Sequence, residues 1–445
     1  MVLSDCYSWD NEQSGHARLG DPRRTRRLVS LTSSPAQHAG LSIVKSSQST
    51  AQVEGAYRLI RNPSVSPQAI AEAGFTATVR ACEAHPLLLA LEDTTTINFS
   101  HSTASDDQGN TTTNPKTHGL LAHSVLMYAP DSALPVDLIE QQCWSRATDT
   151  YGVKHQRKER PCEEKESYRW QQASERMAER LGEIQKQVIT VCDREADIWH
   201  YLHYKVSRGK PHAECDAKRR AGSPPGPDAH QLQRSQYKKS RQQRPGALAH
   251  VCLLRGAGED GACWYPLTSE KVASAADARR IVSHYEQRWL IEEYHKAWKS
   301  GGTCVESLRM QTRDNLERMV VIAVRVLGLR QGGISEETQN DSCEKILTPT
   351  EWKLLWVKLE GKQLPAQTPT LKWACLKLAK LGRWHDSKRT SSPGWVVMWD
   401  GWFRHQDMAE GYLVMKSLDQ EICSRDRSKM GDNVWCCITA QASHS

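Results

Sequence analysis

The chain has 445 residues, a formal net charge of +7 and 14 cysteines, a length that suits about three domains. No run approaches the roughly 20 apolar residues of a membrane span, and the first residues lack the basic and apolar segments of a signal peptide. The cysteines show none of the paired spacings of structural zinc sites. We therefore expect a cytoplasmic protein with reduced thiols, and the positive charge mildly favours a polyanionic partner.

Two short basic helices are predicted within the polar N-terminal residues 1–70. LGDPRRTRRL (19–28) offers an N-cap aspartate and a first-turn proline, followed by four arginines. EGAYRLIRNP (54–63) carries two arginines beside a tyrosine and before a proline stop. Basic helices can neutralise DNA phosphates, and arginine can also bind guanine edges in the major groove. The alternative interpretation is that these are ordinary solvent-exposed helix faces. The candidate DNA contacts here are Arg23, Arg24, Arg27, Tyr57, Arg58 and Arg61.

Two aspartates accompany predicted strands in the next part of the chain. Strand-like runs are predicted at 85–100, 119–129, 134–143 and 187–198, with a helical run at 163–186. The apolar part of the first run ends before Asp93, so we expect Asp93 just past the end of that strand and Asp193 at the end of the last one. Strand ends are where α/β folds place catalytic groups, so the two carboxylates form a candidate site; a turn or N-cap role is the alternative for each.

From about 200 to 260 the sequence is rich in Pro, Gly, Arg and Gln and has almost no apolar periodicity. Its first half does not resemble strands, whereas ALAHVCLLRG (247–256) and ACWYPLTSE (262–270) are candidate strands. Trp264 in the second of these is either a ligand-contacting residue or part of the core.

IVSHYEQRWLIEEYHKAWK (281–299) is predicted to be an amphipathic helix that aligns polar side chains on one narrow stripe. That stripe consists of Tyr285, Arg288, Glu292 and Lys299. The predicted core-facing side consists of Leu290, Ile291, Tyr294 and Trp298. Arg288 and Glu292 stand four residues apart, so an ordinary ion pair is the alternative to a functional stripe.

The C-terminal part reads as mainly helical. A long amphipathic helix is predicted at 307–331, a polar linker with helical pieces at 332–365, and further helical segments at 371–384 and 386–413. Lys388 and Arg389 are candidate DNA contacts, and the residues from 421 onward show no clear pattern.

The spacing Y-x2-R-x3-E-x6-K in 281–299 resembles the Y-R-E-K signature of DDE-class cut-and-paste transposases of insertion-sequence family four, the Tn-five type. EEKES (163–167), CDREAD (192–197) and DSKRT (386–390) resemble other stretches of that family, and the likeness spans roughly 15–200 and 262–415. It implies an α/β catalytic core of ribonuclease-H-like type, a mixed sheet flanked by helices with an inserted β-containing segment, plus all-α N-terminal and C-terminal domains. The implied domains are 1–72 for DNA-end binding, 73–330 for the core with its insertion at about 199–275, and 331–445 for dimerisation.

The resemblance also assigns roles. Asp93, Asp193 and Glu292 would hold two Mg²⁺ or Mn²⁺ ions, and clustered carboxylates suit such hard cations. Tyr285, Arg288 and Lys299 would contact DNA phosphates, and Trp264 would contact a flipped base. The arginines named above, with Lys388 and Arg389, would bind transposon ends.

The implied activity is transposition by cleavage, hairpin formation and strand transfer at terminal inverted repeats, by a homodimer associated with a bacterial nucleoid. The unusual 200–260 segment leaves a catalytically impaired relative, which binds ends or dimerises and thereby inhibits transposition, as an alternative. A metal-dependent structure-specific nuclease is a weaker one.

Overall fold

The structure of the protein is a computed structural model. This structure describes residues 14–37, 43–47, 49–99, 108–112, 117–146, 160–208, 212–217, 250–251, 254–255, 263–328, 339–361, 363–387 and 393–429. Within these residues, no helix is long and apolar enough to cross a lipid bilayer.

Helices form the described N-terminal part of the chain. They are α1 (Pro22–Gln37), α2 (Ile43–Ser46), α3 (Thr50–Ile60) and α4 (Pro67–Cys82). As predicted, α1 begins at Pro22, and Asp21 Oδ1 accepts a hydrogen bond of 2.8 Å from the Arg23 backbone. Serine hydroxyls cap α3 and α4 in the same way, which satisfies backbone N–H groups that have no partner inside a helix.

A mixed sheet forms the centre of the molecule. Its strands are β1 (Leu88–Asn98), β2 (Gly119–Ala129), β3 (Leu134–Trp144), β4 (Val188–Cys192), β5 (His212–Ala217), β6 (His250–Val251), β7 (Leu254–Arg255) and β8 (Cys263–Thr268). The spatial order is β3-β2-β1-β4-β5-β8-β6, and β7 also pairs with β8. β1 pairs parallel with β4, and β4 parallel with β5, whereas the β1–β2, β2–β3 and β5–β8 pairs are antiparallel.

The two faces of β1 enter different apolar clusters, because successive side chains of a strand alternate between faces. Leu88 and Ala90 pack with α5 (Tyr168–Leu181), and α6 (Trp199–Ser207) lies on the same side. Leu89 and Leu91 pack toward the N-terminal helices, α8 (Trp289–Lys296) and α9 (Arg313–Gly328). Helices therefore cover both faces of a mixed sheet, which is the predicted ribonuclease-H-like arrangement.

The sequence correctly predicted β2, β3 and β4 but missed β5. The strand His212–Ala217 lies in a stretch that was not expected to contain strands, and it extends the sheet beside β4. Of the candidate strands at 247–256 and 262–270, the described residues form β6, β7 and β8. Residues 218–249, between β5 and β6, lie outside the described part of the chain.

Three helices follow α9: α10 (Pro349–Glu360), α11 (Leu371–Leu381) and α12 (Trp395–Lys429). They share an apolar cluster that includes Trp352, Leu378 and Trp402. α10 is one of the helical pieces predicted within 332–365, but the residues from Cys343 to Leu359 contribute to this cluster, so this part of the segment is not a polar linker. The residues from 421 onward show no clear pattern in the sequence, and α12 continues through them as far as Lys429.

Candidate active site

Asp93 and Asp193 lie side by side at the centre of the sheet. Leu91 of β1 pairs in parallel with Val191 of β4, and each aspartate follows two residues later. Asp193 directly follows the last residue of β4, as predicted, and its Oδ1 accepts the backbone N–H of Glu195 at 2.8 Å.

Asp93 does not stand past the end of its strand, so that prediction was wrong. β1 continues to Asn98, and Asp93 pairs with Ser124 of β2. The β-branched residues Thr94 to Ile97 favour this extended continuation. The pairing of β1 with β4 nevertheless ends at Leu91 and Val191, so both carboxylates lie just beyond the end of this pairing.

The helix predicted at 281–299 is interrupted. α7 (Ala275–Glu286) ends before a tight turn at Gln287–Arg288, then α8 begins, and a π-helical turn (Ala297–Gly301) follows it. In the turn, Arg288 N–H donates to Tyr285 O and Leu290 N–H to Gln287 O, both at 2.9 Å. Such i+3 bonds tighten the helix, so a uniform rotation per residue does not hold along the whole segment.

The core-facing side of this segment is nevertheless largely as predicted. Ile291, Tyr294 and Trp298 are fully buried, whereas Leu290 is only partly buried. Lys299 reaches the sheet, where its Nζ donates a hydrogen bond of 3.0 Å to Thr95 Oγ1. The π-helical turn thus still brings a residue of the predicted polar stripe to β1.

Glu292 is paired within the helix. The Arg288 guanidinium donates a hydrogen bond to the Glu292 carboxylate, which is the ion pair that the sequence left open as an alternative. Burial lowers the pKa of Arg288, but the hydrogen bond to Glu292 and the charges of Glu292, Tyr285 and Asp193 together outweigh it, and the pKa is raised overall. Both side chains are largely shielded, so the interaction is stronger than an exposed i,i+4 pair.

The carboxylates influence one another electrostatically. Burial raises the pKa of Asp193, Asp93 and Glu292 raise it further, and the Glu195 N–H and Arg288 oppose them. Burial, Asp193 and Asp93 likewise raise the pKa of Glu195, an acid at this edge that the sequence did not assign to the site. An accumulation of negative charge of this kind is what a bound cation relieves.

The donor set fits a hard divalent cation, because it consists of carboxylate oxygens. In the described residues, however, no three His, Cys, Asp or Glu side chains are arranged so that they could hold one ion. Glu292, the third predicted ligand, is instead paired with Arg288.

His295 was missed by the sequence interpretation. It lies on α8 one turn beyond Glu292, and its Nδ1 is 3.2 Å from Asp93 Oδ2. The available signal was its spacing, because residues three apart on a helix share a face.

A second polar cluster, also missed, lies on the opposite face of β1. Glu92 is fully buried and accepts hydrogen bonds from Tyr201 at 3.0 Å and Ser174 at 3.3 Å. Lys205 Nζ is 3.7 Å from the same carboxylate and donates to Thr190 Oγ1 at 2.7 Å. Strand alternation next to Asp93 was the signal that could have indicated it.

The basic N-terminal residues differ in accessibility. Arg23, Arg58 and Arg61 are exposed. Arg24 and Arg27 are partly buried, and Arg24 Nη1 donates to Leu19 O at 2.9 Å. The Arg27 guanidinium lies against Gly55 of α3, so closely that a Cβ at that position would come within 2.5 Å of it.

The remaining predicted DNA contacts are described only in part. The Arg61 guanidinium lies over the Tyr57 ring at 5.1 Å, and Arg58 pairs with Glu54. Trp264 belongs to β8, but its side chain is outside the described part of the structure, as are Lys388 and Arg389.

A mixed sheet with helices on both faces and two aspartates at adjacent parallel strands has the arrangement expected of a ribonuclease-H-like catalytic domain. Comparison with protein families agrees with this class. Residues 140–329 match the family described as transposase DDE domain, and residues 7–65 match the family described as transposase DNA-binding. The chain therefore carries the two domains of a DNA transposase. Asp193 and Glu292 lie within the DDE match, which begins after Asp93.

Proposed function

We propose that the chain is a cut-and-paste transposase of insertion-sequence family four, the Tn-five type. It would cleave and rejoin DNA at the terminal inverted repeats of its element. The observation that carries this proposal is the parallel register of β1 and β4, which brings Asp93 and Asp193 together beside the helix that bears Glu292. The Y-R-E-K spacing supports the particular family.

Asp93, Asp193 and Glu292 are the proposed ligands of two Mg²⁺ or Mn²⁺ ions. When bound, such ions activate the attacking oxygen and stabilise the leaving oxygen of a phosphodiester. The raised pKa of Asp193, caused by burial and by the other two acids, supports this assignment. Glu195 is a neighbouring acid with no assigned role.

Arg288 is proposed to exchange partners during DNA binding. Its guanidinium is held by Glu292 in the free protein, and a DNA phosphate would compete for the same donors. Arg288 would then bind the phosphate and release the carboxylate toward Asp93 and Asp193. Tyr285 and Lys299 would contact phosphates on either side of the scissile bond.

The remaining assignments are proposals of the same kind. The domain from 1 to 72 would bind transposon ends through Arg23, Arg24, Arg27, Tyr57, Arg58 and Arg61, assisted by Lys388 and Arg389. Trp264 would contact a flipped base. The core of residues 73–330, with its insertion, would carry out the chemistry. The domain 331–445 would pair two copies across a synapse, in the cytoplasm of a bacterium at its nucleoid.

The test uses purified full-length protein and linear DNA that carries the terminal repeats of the element, with and without Mg²⁺. We expect metal-dependent nicks and hairpins at the repeat boundary. Asp193→Asn should reduce cleavage at least about 100-fold while end binding persists, because a metal ligand is lost. Asp197→Asn, an exposed acid four residues away, should cleave like the wild type.

Two results would contradict the proposal. Cleavage by Asp193→Asn at the wild-type rate would remove Asp193 from the site. End binding by the wild type without cleavage under any metal condition would instead identify an impaired, inhibitory relative.

A further inference from the structure

His295 occupies a buried position between the two elements that carry the proposed metal ligands. It is only 3% exposed, on α8, and its imidazole is enclosed by the rings of Tyr294 and Trp298, with centroid distances of 5.8 and 6.4 Å. Its Nδ1 lies 3.2 Å from Oδ2 of Asp93 on β1. The contact thus joins α8 directly to the carboxylate on the central strand.

The geometry determines which nitrogen acts. Nε2 of His295 is buried and makes no hydrogen bond within the described residues. A carboxylate oxygen can only accept, so the Nδ1–H donates to Asp93 Oδ2. The interaction is made to a single oxygen of the carboxylate, and it restricts rotation of that group about its side-chain bonds.

A second contact acts in the same direction. Lys299, one turn beyond His295, donates to Thr95 Oγ1 at 3.0 Å, and Thr95 lies on the same face of β1 as Asp93. The two contacts fix the position of α8, which carries Glu292, along the length of β1. Of the two, only the His295 contact also orients a proposed ligand.

We propose that His295 is a positioning residue, which orients the Asp93 carboxylate and sets the distance from Asp93 to the helix that carries Glu292. This inference rests on the proposed function, in which both acids hold divalent cations. Hydrogen bonds to ligating side chains commonly control metal affinity or activity by about 10–100-fold. His295 itself need not contact DNA or metal.

The decisive comparison is between two amide variants of the full-length chain. In His295→Asn the amide nitrogen stands near the position of Nδ1 and can still donate to Asp93. In His295→Gln it stands near the position of Nε2, so the polarity is kept but the donor is displaced. If the imidazole had a purely structural role, the two variants would not differ in metal binding.

Three quantities should be measured for wild type, His295→Asn and His295→Gln. Mn²⁺ binding without DNA is followed by the electron paramagnetic resonance signal of the free ion. Cleavage of terminal-repeat DNA is measured as a function of Mg²⁺ concentration, and thermal unfolding by circular dichroism reports the fold. We expect His295→Gln to weaken Mn²⁺ binding and to raise the half-saturating Mg²⁺ concentration by about 10-fold or more. His295→Asn should remain within about threefold of the wild type, because it keeps the orienting donor.

The outcomes separate this inference from the proposed function. Equal behaviour of the two variants, whether both match the wild type or both lose Mn²⁺ binding equally while folded, overturns the positioning role. If His295→Gln unfolds, His295→Ser, which is too short to reach Asp93, replaces it in the comparison with His295→Asn. If His295→Asn unfolds, the wild type is the donor-bearing reference, and a folded His295→Gln that binds Mn²⁺ like the wild type overturns the positioning role. Failure of the wild type itself to bind Mn²⁺ and to cleave would instead reject the proposed function.

Discussion

At the scale of single residues, one strand separates two acids with different tasks. Asp93 points toward α8 and the proposed DNA site, whereas Glu92, the preceding residue, points into the opposite core. Burial raises the pKa of Glu92, and Lys205, Tyr201 and Ser174 lower it. The buried Glu92–Lys205 pair connects β1 to α6, the helix that follows the Asp193 turn.

We expect Lys205→Met to destabilise the protein by about 3–5 kcal/mol, because it leaves the Glu92 carboxylate buried without its cation. The double variant Glu92→Gln/Lys205→Met should lose less than Lys205→Met alone, since no unpaired charge remains. Urea unfolding followed by circular dichroism measures both. Lys186→Met, in an exposed pair with Glu183, is the control and should leave the urea midpoint nearly unchanged, because exposed ion pairs contribute little to stability. A Lys205→Met variant as stable as this control would mean that Glu92 is protonated in the folded protein.

At the scale of elements, α9 of the DDE match holds the end of α3. Arg318 is 5% exposed, and its guanidinium donates to Val65 O at 2.7 Å and to Ile60 O at 3.1 Å. Ile60 is the last residue of α3, and the final carbonyls of a helix have no partner inside it, so Arg318 satisfies one of them and also binds the loop that follows at Val65. Since Arg58 and Arg61 belong to this helix end, Arg318 also fixes their position relative to the catalytic sheet.

Removing this connection should affect both stability and DNA binding. Arg318→Met should cost about 1.5–3 kcal/mol, because it leaves buried carbonyls without donors, and should weaken binding to terminal repeats more than to random DNA. The control is Arg313→Met, one turn earlier, where a largely surface pair with Glu317 is lost at a cost below about 1 kcal/mol. Calorimetric unfolding and fluorescence anisotropy give the two readouts. Equal loss of affinity for both DNAs would argue against a role in orienting α3.

A close crossing of two C-terminal helices depends on paired glycines. A Cβ on Gly401 of α12 would come within 1.8 Å of the Leu378 carbonyl oxygen, and one on Gly382 within 2.0 Å of the Val397 oxygen. Backbone atoms cannot yield to such an overlap without separating α11 from α12. The sequence contained both glycines but gave no indication that they face one another.

At the scale of the whole molecule, the local pattern of apolar residues predicted most of the central strands and the buried helix residues, but it did not predict how β5 joins the sheet. The apolar runs gave β2, β3 and β4, and the helical spacing gave the burial of Ile291, Tyr294 and Trp298. β5 was missed because HAECDA (212–217) has no strand-like pattern of its own, and its pairing with β4 and β8 decides its conformation.

The candidate acids could be chosen from the sequence, but their partners could not. Asp93, Asp193 and Glu292 stood out through strand and helix patterns, whereas the contact of His295 with Asp93 joins residues far apart in the chain. Long-range contacts of this kind depend on how α8 packs on β1, which periodicity along one segment does not specify. The interruption at Arg288 was likewise invisible, because the segment has no proline or glycine there.

The far half of α12 leaves apolar side chains in solvent, which bears on assembly. Val414, Met415, Leu418 and Ile422 are between 47% and 61% exposed. Val414, Leu418 and Ile422 are spaced four residues apart, and Met415 precedes Leu418 by three, so the four side chains form one stripe along the helix. A continuous exposed stripe of this type is typical of an interface, and the proposed synapsis supplies a second copy to cover it.

We expect the proposed dimer to dissociate in Leu418→Glu, because the substitution places a charge at the centre of this stripe. Light scattering after size-exclusion chromatography, across a range of protein concentrations, measures the mass. Gln420→Glu adds the same charge about 200° around the helix and should leave the dimer intact. Binding of a single repeat should survive in Leu418→Glu, whereas joint capture of two repeat-bearing DNAs should be lost. Dimers of unchanged stability in Leu418→Glu would exclude this stripe as the interface, and a wild type that captures two repeats as a monomer would remove the requirement for pairing altogether.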